Sequence, residues 1–206
     1  IAASVFTLFY FLFDDFSRFG THYLMHRIPT LWEFHKFHHS AETLTPLTVT
    51  RTHPVEGMIF ILRTAIVQGV TIAIFVCLFG NKVDLLTIYG VGVFSLMFHS
   101  LGSNLRHSHV ALHYPEAIER IFISPAQHQL HHSNDPRHFD RNFGVVLPVW
   151  DHLVGSFHPS THEKISFGLG PVDVGYTKSV WSMYWLPFAS LIRRLTVLKS
   201  RTPKLF

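Results

Sequence analysis

The chain has 206 residues, enough for one domain, and 48% of them are hydrophobic, with Phe alone occurring 20 times. Charged residues reach only 15%, against about 25% in ordinary soluble domains, which leaves too little polar surface for water and favours a bilayer. The net charge of +4 is spread out rather than gathered into a basic stripe, which excludes nucleic acid as a partner, and the single cysteine, Cys77, excludes a disulfide framework or a cysteine-based zinc site.

The sequence begins at Ile1, without methionine, directly in an apolar run, so a truncated N-terminus is expected. Residues 1–13 read as the end of a transmembrane helix that runs into Asp14 and Asp15. Pro29 and Pro46 bound a helical stretch in which Thr30 and Glu33 have capping-box spacing just before His35. Residues 58–79 are long enough to cross a hydrocarbon core of about 30 Å, and Arg63 near their start is placed to snorkel to the interface. Gly80-Asn81-Lys82 makes a turn and residues 83–98 return, so 58–100 is predicted to be a membrane hairpin whose ends emerge on one side. Ser124 and Pro125 supply an N-cap and a first-turn proline just before His128. In residues 180–198, Trp181, Tyr184, Trp185, Phe188 and Leu191 are mixed with Arg193 and Arg194; Pro187 argues against an uninterrupted span, so an interfacial amphipathic helix is expected. The predicted fold class is an all-α integral membrane protein, a transmembrane helical hairpin carrying a cytoplasmic helical cap.

Histidine is the anomaly: 17 histidines outnumber the 13 acids. His22 and His26 form an HxxxH pair, and His35-x-x-His38-His39 and His128-x-x-His131-His132 form two HxxHH pentads. Residues three and four apart share a helix face, so each group offers two or three imidazoles to one small volume. The hairpin separates the pentads in sequence and returns them to the same membrane face. The loops on that face carry Arg18, Arg27, Lys36, Arg51, Arg106, Arg120, Arg137 and Arg141 against Lys82 in the opposite turn, which places the histidines on the cytoplasmic side. Eight imidazoles exceed the four ligands of one tetrahedral zinc and fit two metals with about four nitrogens each; imidazole alone does not choose among iron, copper, zinc and nickel. For orienting these rings the candidate groups are Asp15, Glu33, Glu56, Asp140 and Asp151, with Asp15, Asp151 and His53 singled out. His99, His138, His152, His158 and His162 read as structural or solvated.

This arrangement resembles the fatty acid hydroxylase superfamily, which includes sterol desaturases, fatty acid 2-hydroxylases and alkylglycerol monooxygenase. The resemblance covers roughly 13–158 and is strengthened by Asn104-Leu-Arg-His107-Ser-His109, Asn142-Phe-Gly144 and Trp150-Asp-His-Leu-Val-Gly155; the bacterial sterol desaturase-like branch is nearest. It implies a catalytic membrane domain over 1–160 with an interfacial tail over 161–206, two iron ions (zinc being able to substitute), dioxygen as co-substrate, and a lipid substrate. It also implies further ligands between hairpin and second pentad. His107 matches the histidine opening a short motif of relatives, while His109 and His113 reproduce an HxxxH seen in fatty acid 2-hydroxylases. His107 and His109 join the expected ligand set, with His113 as a further candidate.

Oxidising an unactivated lipid C–H bond demands more than any side chain supplies, so the metals must carry the chemistry and no separate general base or nucleophile is expected. The sequence has no His-Pro-Gly-Gly haem motif and no Gly-rich nucleotide loop; electrons are expected from a separate b-type cytochrome, ferredoxin or reductase. The competing classes are a membrane metal transporter or metal-binding protein, which would place ionisable residues mid-span where 64–79 has neither histidine nor charge, and a zinc hydrolase, which would want a His-Glu-x-x-His base.

Overall fold

The computed structural model describes residues 2–80, 105–170 and 176–201. Among them the chain is helical, with one isolated antiparallel bridge, Ser133 to Phe167. The longer helices are α1 (Ala2–Arg27), α2 (Pro29–His39), α3 (Pro54–Phe79) and α7 (Val180–Arg201). Among the described residues between α3 and α7 lie three short helices, α4 (Glu116–Glu119), α5 (Pro125–His131) and α6 (Val149–Val154). The predicted returning arm, 83–98, and the Asn81-Lys82 turn lie outside the described residues.

Proline sets three of the helix starts. A residue before proline is pushed out of the α region, and proline is tolerated in the first turn because its missing N–H has no helical partner there. Ile28 is accordingly extended (φ −97°, ψ 112°), which ends α1 and lets Pro29 begin α2 in a new direction. His53 is extended before Pro54 and caps α3 by accepting from the Val55 N–H. Ser124 caps α5 before Pro125, in a capping box completed by Gln127. The capping box expected at Thr30 and Glu33 is not formed: Pro29 starts α2 one residue before Thr30, so Thr30 lies inside the helix, and the Glu33 carboxylate instead holds Lys36 at 2.8 Å and Arg194 at 3.2 Å.

α1 buries Phe6, Tyr10, Asp14, Asp15, Phe19, His22 and Met25, a stripe at helical spacing. Its apolar half packs on α3 through Phe6, Tyr10, Val67 and Phe75, with Phe6 and Phe75 edge to face at 5.2 Å. α3 is the one described helix long and apolar enough to cross a membrane, and only 22% of its most apolar stretch is buried inside the protein. A core helix of a soluble protein would be mostly covered. Arg63, expected to snorkel, does not. It is buried, and its Nη1 donates to the Asp14 carboxylate at 2.8 Å and to Ser17 Oγ at 2.5 Å, locking α3 to α1. A neighbouring carboxylate meets the charge where it stands, so the side chain has no reason to reach for the interface.

α7 runs through Pro187 without a break. Proline removes the bond to the carbonyl four residues back and pushes against it; that carbonyl, Met183 O, accepts the Tyr176 hydroxyl at 3.1 Å, and the next, Tyr184 O, accepts His53 Nε2 at 3.1 Å. These two carbonyls thus tie α7 to the rest of the chain. α7 lies against α2, with Phe34 on Phe188 and Phe37 on Tyr184, and leaves Trp181 and Trp185 exposed.

Candidate metal centre

Past the apolar packing with α3, α1 reaches α2 and α5, and the histidines of all three converge. Two groups form among the described residues: His22, His26, His35, His39 and His131, and beside them His38, His107, His128 and His132. Within each group the nearest ring nitrogens all lie within 4.8 Å of one another. The groups adjoin, since the rings of His39 and His132 stack at 4.5 Å. Nine of the ten expected ligands are brought together. His109 is not: it is exposed and belongs to neither group, because its neighbour His107 takes the inward position two residues earlier on the turn. His113 is also elsewhere, hydrogen-bonded to Ser160 Oγ at 2.9 Å and with its ring tilted against that of His162.

Each pentad serves both groups, and helix geometry explains the division. At about 100° per residue, the fifth residue of HxxHH stands about 40° from the first, and the fourth stands about 60° to the other side. His35 and His39 therefore point together into one group while His38 turns into the other. In α5 the roles reverse: His128 and His132 share the second group and His131 crosses to the first. The two short helices thus exchange one imidazole each.

The tautomers are set from outside. His22 Nδ1 donates to Phe143 O at 2.8 Å, His131 Nδ1 to Arg141 O at 2.7 Å, His38 Nδ1 to Arg51 O at 3.2 Å and His35 Nδ1 to the Glu56 carboxylate at 2.8 Å. A carbonyl can only accept, so the proton sits on Nδ1 and the Nε2 lone pair faces inward. Glu56 is the one carboxylate of the five candidates hydrogen-bonded to a clustered ring; the other supports are backbone carbonyls, which side-chain identity does not reveal.

Asp15 and Asp151 act one step further out than expected. Asp15 accepts from the Val146 and Leu147 N–H groups and from Trp150 Nε1 at 2.9 Å. Asp151 accepts from the Phe143 and Gly144 N–H groups, each at 2.8 Å, and from Ser156 Oγ. Together they hold the loop whose carbonyls at 141 and 143 orient His131 and His22. Between these carbonyls Asn142 is fully buried with φ 54°, a left-handed conformation that asparagine tolerates, and its side chain bonds Gln127 O and the His158 N–H. Gly144 has no room for a side chain: a Cβ there would lie 2.7 Å from Asp151 Oδ2. His53 holds none of the clustered rings. Both its nitrogens are engaged, one by Val55 N–H and one by Tyr184 O, and its ring packs on Phe34.

The inward nitrogens test whether a metal fits. Buried Nε2 atoms of His26, His35, His39, His131 and His132 have no hydrogen-bond partner. Each unsatisfied buried polar atom costs about 1–3 kcal/mol, and a cluster of lone pairs in one volume is what a cation satisfies. In the four-histidine group, His107 Nε2 lies 3.1 Å from His38 Nε2 and 3.0 Å from His128 Nε2, the separation of nitrogens bound at about 2.1 Å to one ion at near-right angles. The donor set fits two metal ions held by imidazole.

Burial keeps these imidazoles neutral and ready to bind. It lowers the pKa of His35 to about 3 and of His38 to about 4, and holds His39, His128, His131 and His132 well below 6.5, with repulsion among the neighbouring histidines adding to the effect for all but His35. The unfolded chain protonates the same groups near 6.5, so below that pH it binds more protons than the folded state and stability falls. The metal-free protein is therefore expected to lose thermal stability progressively as pH drops from about 6.5 to about 4. A melting temperature constant across that window would contradict this reading of the site.

A cavity of about 500 Å³ opens onto His26, His39, His131 and His132, with Trp32, Pro136, Phe139 and Leu169 among its walls.

The sequence profile of the fatty acid hydroxylase family matches residues 7–156. The chain is 26% identical to alkylglycerol monooxygenase of Danio rerio over 196 residues, covering 95% of this chain and 39% of the relative. It is 28% identical to ornithine lipid hydroxylase OlsE of Rhizobium tropici over 79% of this chain and 45% of the relative, and 27% identical to Delta(7)-sterol 5(6)-desaturase of Eremothecium gossypii over 84% and 42%. The chain thus spans less than half the length of these relatives. No solved structure matches it significantly. The matched span contains every one of the nine converging histidines, and on that span this chain belongs to the fatty acid hydroxylase family.

Proposed function

We propose that this chain is the catalytic part of a membrane-bound di-iron oxygenase that hydroxylates or desaturates a lipid, using dioxygen and electrons from a separate donor such as a b-type cytochrome, ferredoxin or reductase. The observation that carries this reading is the pair of adjoining all-histidine groups with buried lone pairs facing inward. His22, His26, His35, His39 and His131 would hold one ion, and His38, His107, His128 and His132 the other. When bound, two irons supply the redox chemistry that lets dioxygen oxidise a C–H bond, which imidazoles alone cannot do.

The chain's own residues do the rest. Glu56 and the carbonyls of Arg51, Arg141 and Phe143 fix which nitrogen of each ring faces inward. Burial excludes water and keeps the rings unprotonated at neutral pH. In the proposed topology, α3 and residues 83–98 form the membrane hairpin, and α2 and α5 sit in a cap on the cytoplasmic side. The largely uncovered surface of α3 and the exposed Trp181 and Trp185 of α7 support contact with the bilayer and its interface. The names of the relatives, a monooxygenase of alkylglycerols, a hydroxylase of an ornithine lipid and a sterol desaturase, support a lipid substrate.

The test is direct. Purified protein loaded with iron is expected to consume oxygen in the presence of a reductant and a lipid mixture, and cells expressing it are expected to accumulate a lipid that has gained one oxygen atom or lost two hydrogens. Metal-replete protein that gives neither result across alkylglycerol, acyl and sterol lipids would overturn the proposal and favour metal storage or transport.

A further inference from the structure

We infer that residues 166–170, beyond the 7–156 span of the family match, form the specificity-determining wall of a cavity in which a lipid alkyl segment meets the histidines. This rests on the oxygenase reading, but the structural argument is separate. The cavity of about 500 Å³ is floored by His26, His39, His131 and His132, all four of which carry a buried Nε2 without a hydrogen-bond partner. Gly168, Leu169 and Gly170 line it from a segment that the sequence assigns to a separate tail.

That segment is hung from the chain immediately after the second pentad. The Asn134 N–H donates to Ser166 O at 2.9 Å and Asn134 Nδ2 to Phe167 O at 3.1 Å, while Ser133 bridges to Phe167. Gly168 and Gly170 have φ of +98° and +70°, where other residues are strained, and a Cβ on Gly168 would come within 3.1 Å of Glu42 Cγ. The two glycines turn the backbone over the cavity mouth and leave Leu169 as the side chain between them. Leu169 packs against the buried cluster of Phe37, Tyr176 and Met183, so it is braced from behind and does not simply swing away from an occupant.

The lining also defines the chemical class. Its size is that of a small-molecule site. Trp32, Pro136, Phe139 and Leu169 supply apolar wall, and the lining contains Asp140 but no lysine or arginine. An anionic headgroup would find no lysine or arginine in the lining to pair with, whereas an uncharged alkyl segment finds apolar walls beside the metal-binding nitrogens. A second cavity of about 280 Å³, between Leu105, Phe122, Ile123 and Val146, touches none of the nine histidines and is the rival location.

The test uses the metal-loaded chain in lipid nanodiscs, photolabelled with hexadecanol bearing a terminal diazirine and mapped by peptide mass spectrometry. Label is expected on the peptides containing Trp32, 133–140 and 166–170. Leu169→Trp is expected to lower that labelling about tenfold, the discrimination a filled apolar pocket gives, with metal content unchanged; Leu169→Ala is expected to move the favoured substrate toward longer or bulkier chains. Should Leu169→Trp lose metal, Leu169→Phe serves in its place. Label confined to peptides 105–123 and 143–147, or labelling and chain preference unaltered by a metal-replete Leu169 variant, would overturn the inference and leave the oxygenase reading standing. Labelling as expected in a protein that oxidises no lipid would sustain the wall and overturn the oxygenase reading.

Discussion

Replacing His22 and His26 together by alanine is expected to remove about one of two metal ions per chain, whereas replacing His35, His38 and His39 together is expected to remove both. The difference follows from geometry. His22 and His26 belong only to the five-histidine group, while the first pentad sends two rings to that group and one to the other. Single variants sharpen the test: His38→Ala should weaken the same ion as His128→Ala, and His39→Ala the same ion as His131→Ala, although His38 and His39 are adjacent in sequence. Metal content by mass spectrometry, followed by chelator titration to separate the two affinities, reads out each case. Activity should fall to background in all of them. Equal loss of both ions in the His22/His26 variant, or indistinguishable titrations for His38→Ala and His39→Ala, would refute the division into two groups.

The second large effect is expected where α1 and α3 are locked. Asp14 and Arg63 are both buried, and Asp14 also holds Arg18 at 2.8 Å. Removing one partner of a buried ion pair costs about 3–5 kcal/mol, and Arg18, which is partly exposed, compensates Asp14 only in part once Arg63 is gone. Arg63→Ala should therefore lower the melting temperature of the detergent-solubilised protein by roughly 10 °C or more for a chain of this size. Replacing both partners with apolar residues, Asp14→Leu with Arg63→Met, should recover most of that loss, because the desolvation cost of both charges disappears together. A double variant no more stable than Arg63→Ala would show that the pair, rather than apolar packing of Phe6, Tyr10, Val67 and Phe75, holds these helices together.

Local rules in the sequence determined much of this protein. The apolar run ending at Phe79, the Ser124-Pro125 start of α5 and the face-sharing of HxxxH and HxxHH follow from periodicity and proline stereochemistry, which act over one or two turns. They were enough to pick out eight of the nine histidines that converge; the ninth, His107, is marked by the family resemblance and by no helical spacing. The tertiary structure decided what those rules cannot reach. Which pentad residue crosses to which group depends on how α2 and α5 face one another, and the exclusion of His109 depends on how the chain at 106–110 turns against α5. The partners of the ring nitrogens are mostly backbone carbonyls from distant loops, and every residue type carries a carbonyl, so no side-chain pattern marks Arg51, Arg141 or Phe143. Arg63 reads as a snorkelling residue until Asp14 is found beside it, 49 positions away. Leu169 reads as part of a tail until hydrogen bonds from Asn134 hang it over the histidines. Spacing along a helix determines which side chains point together; only the packing of one helix on another determines what they point at.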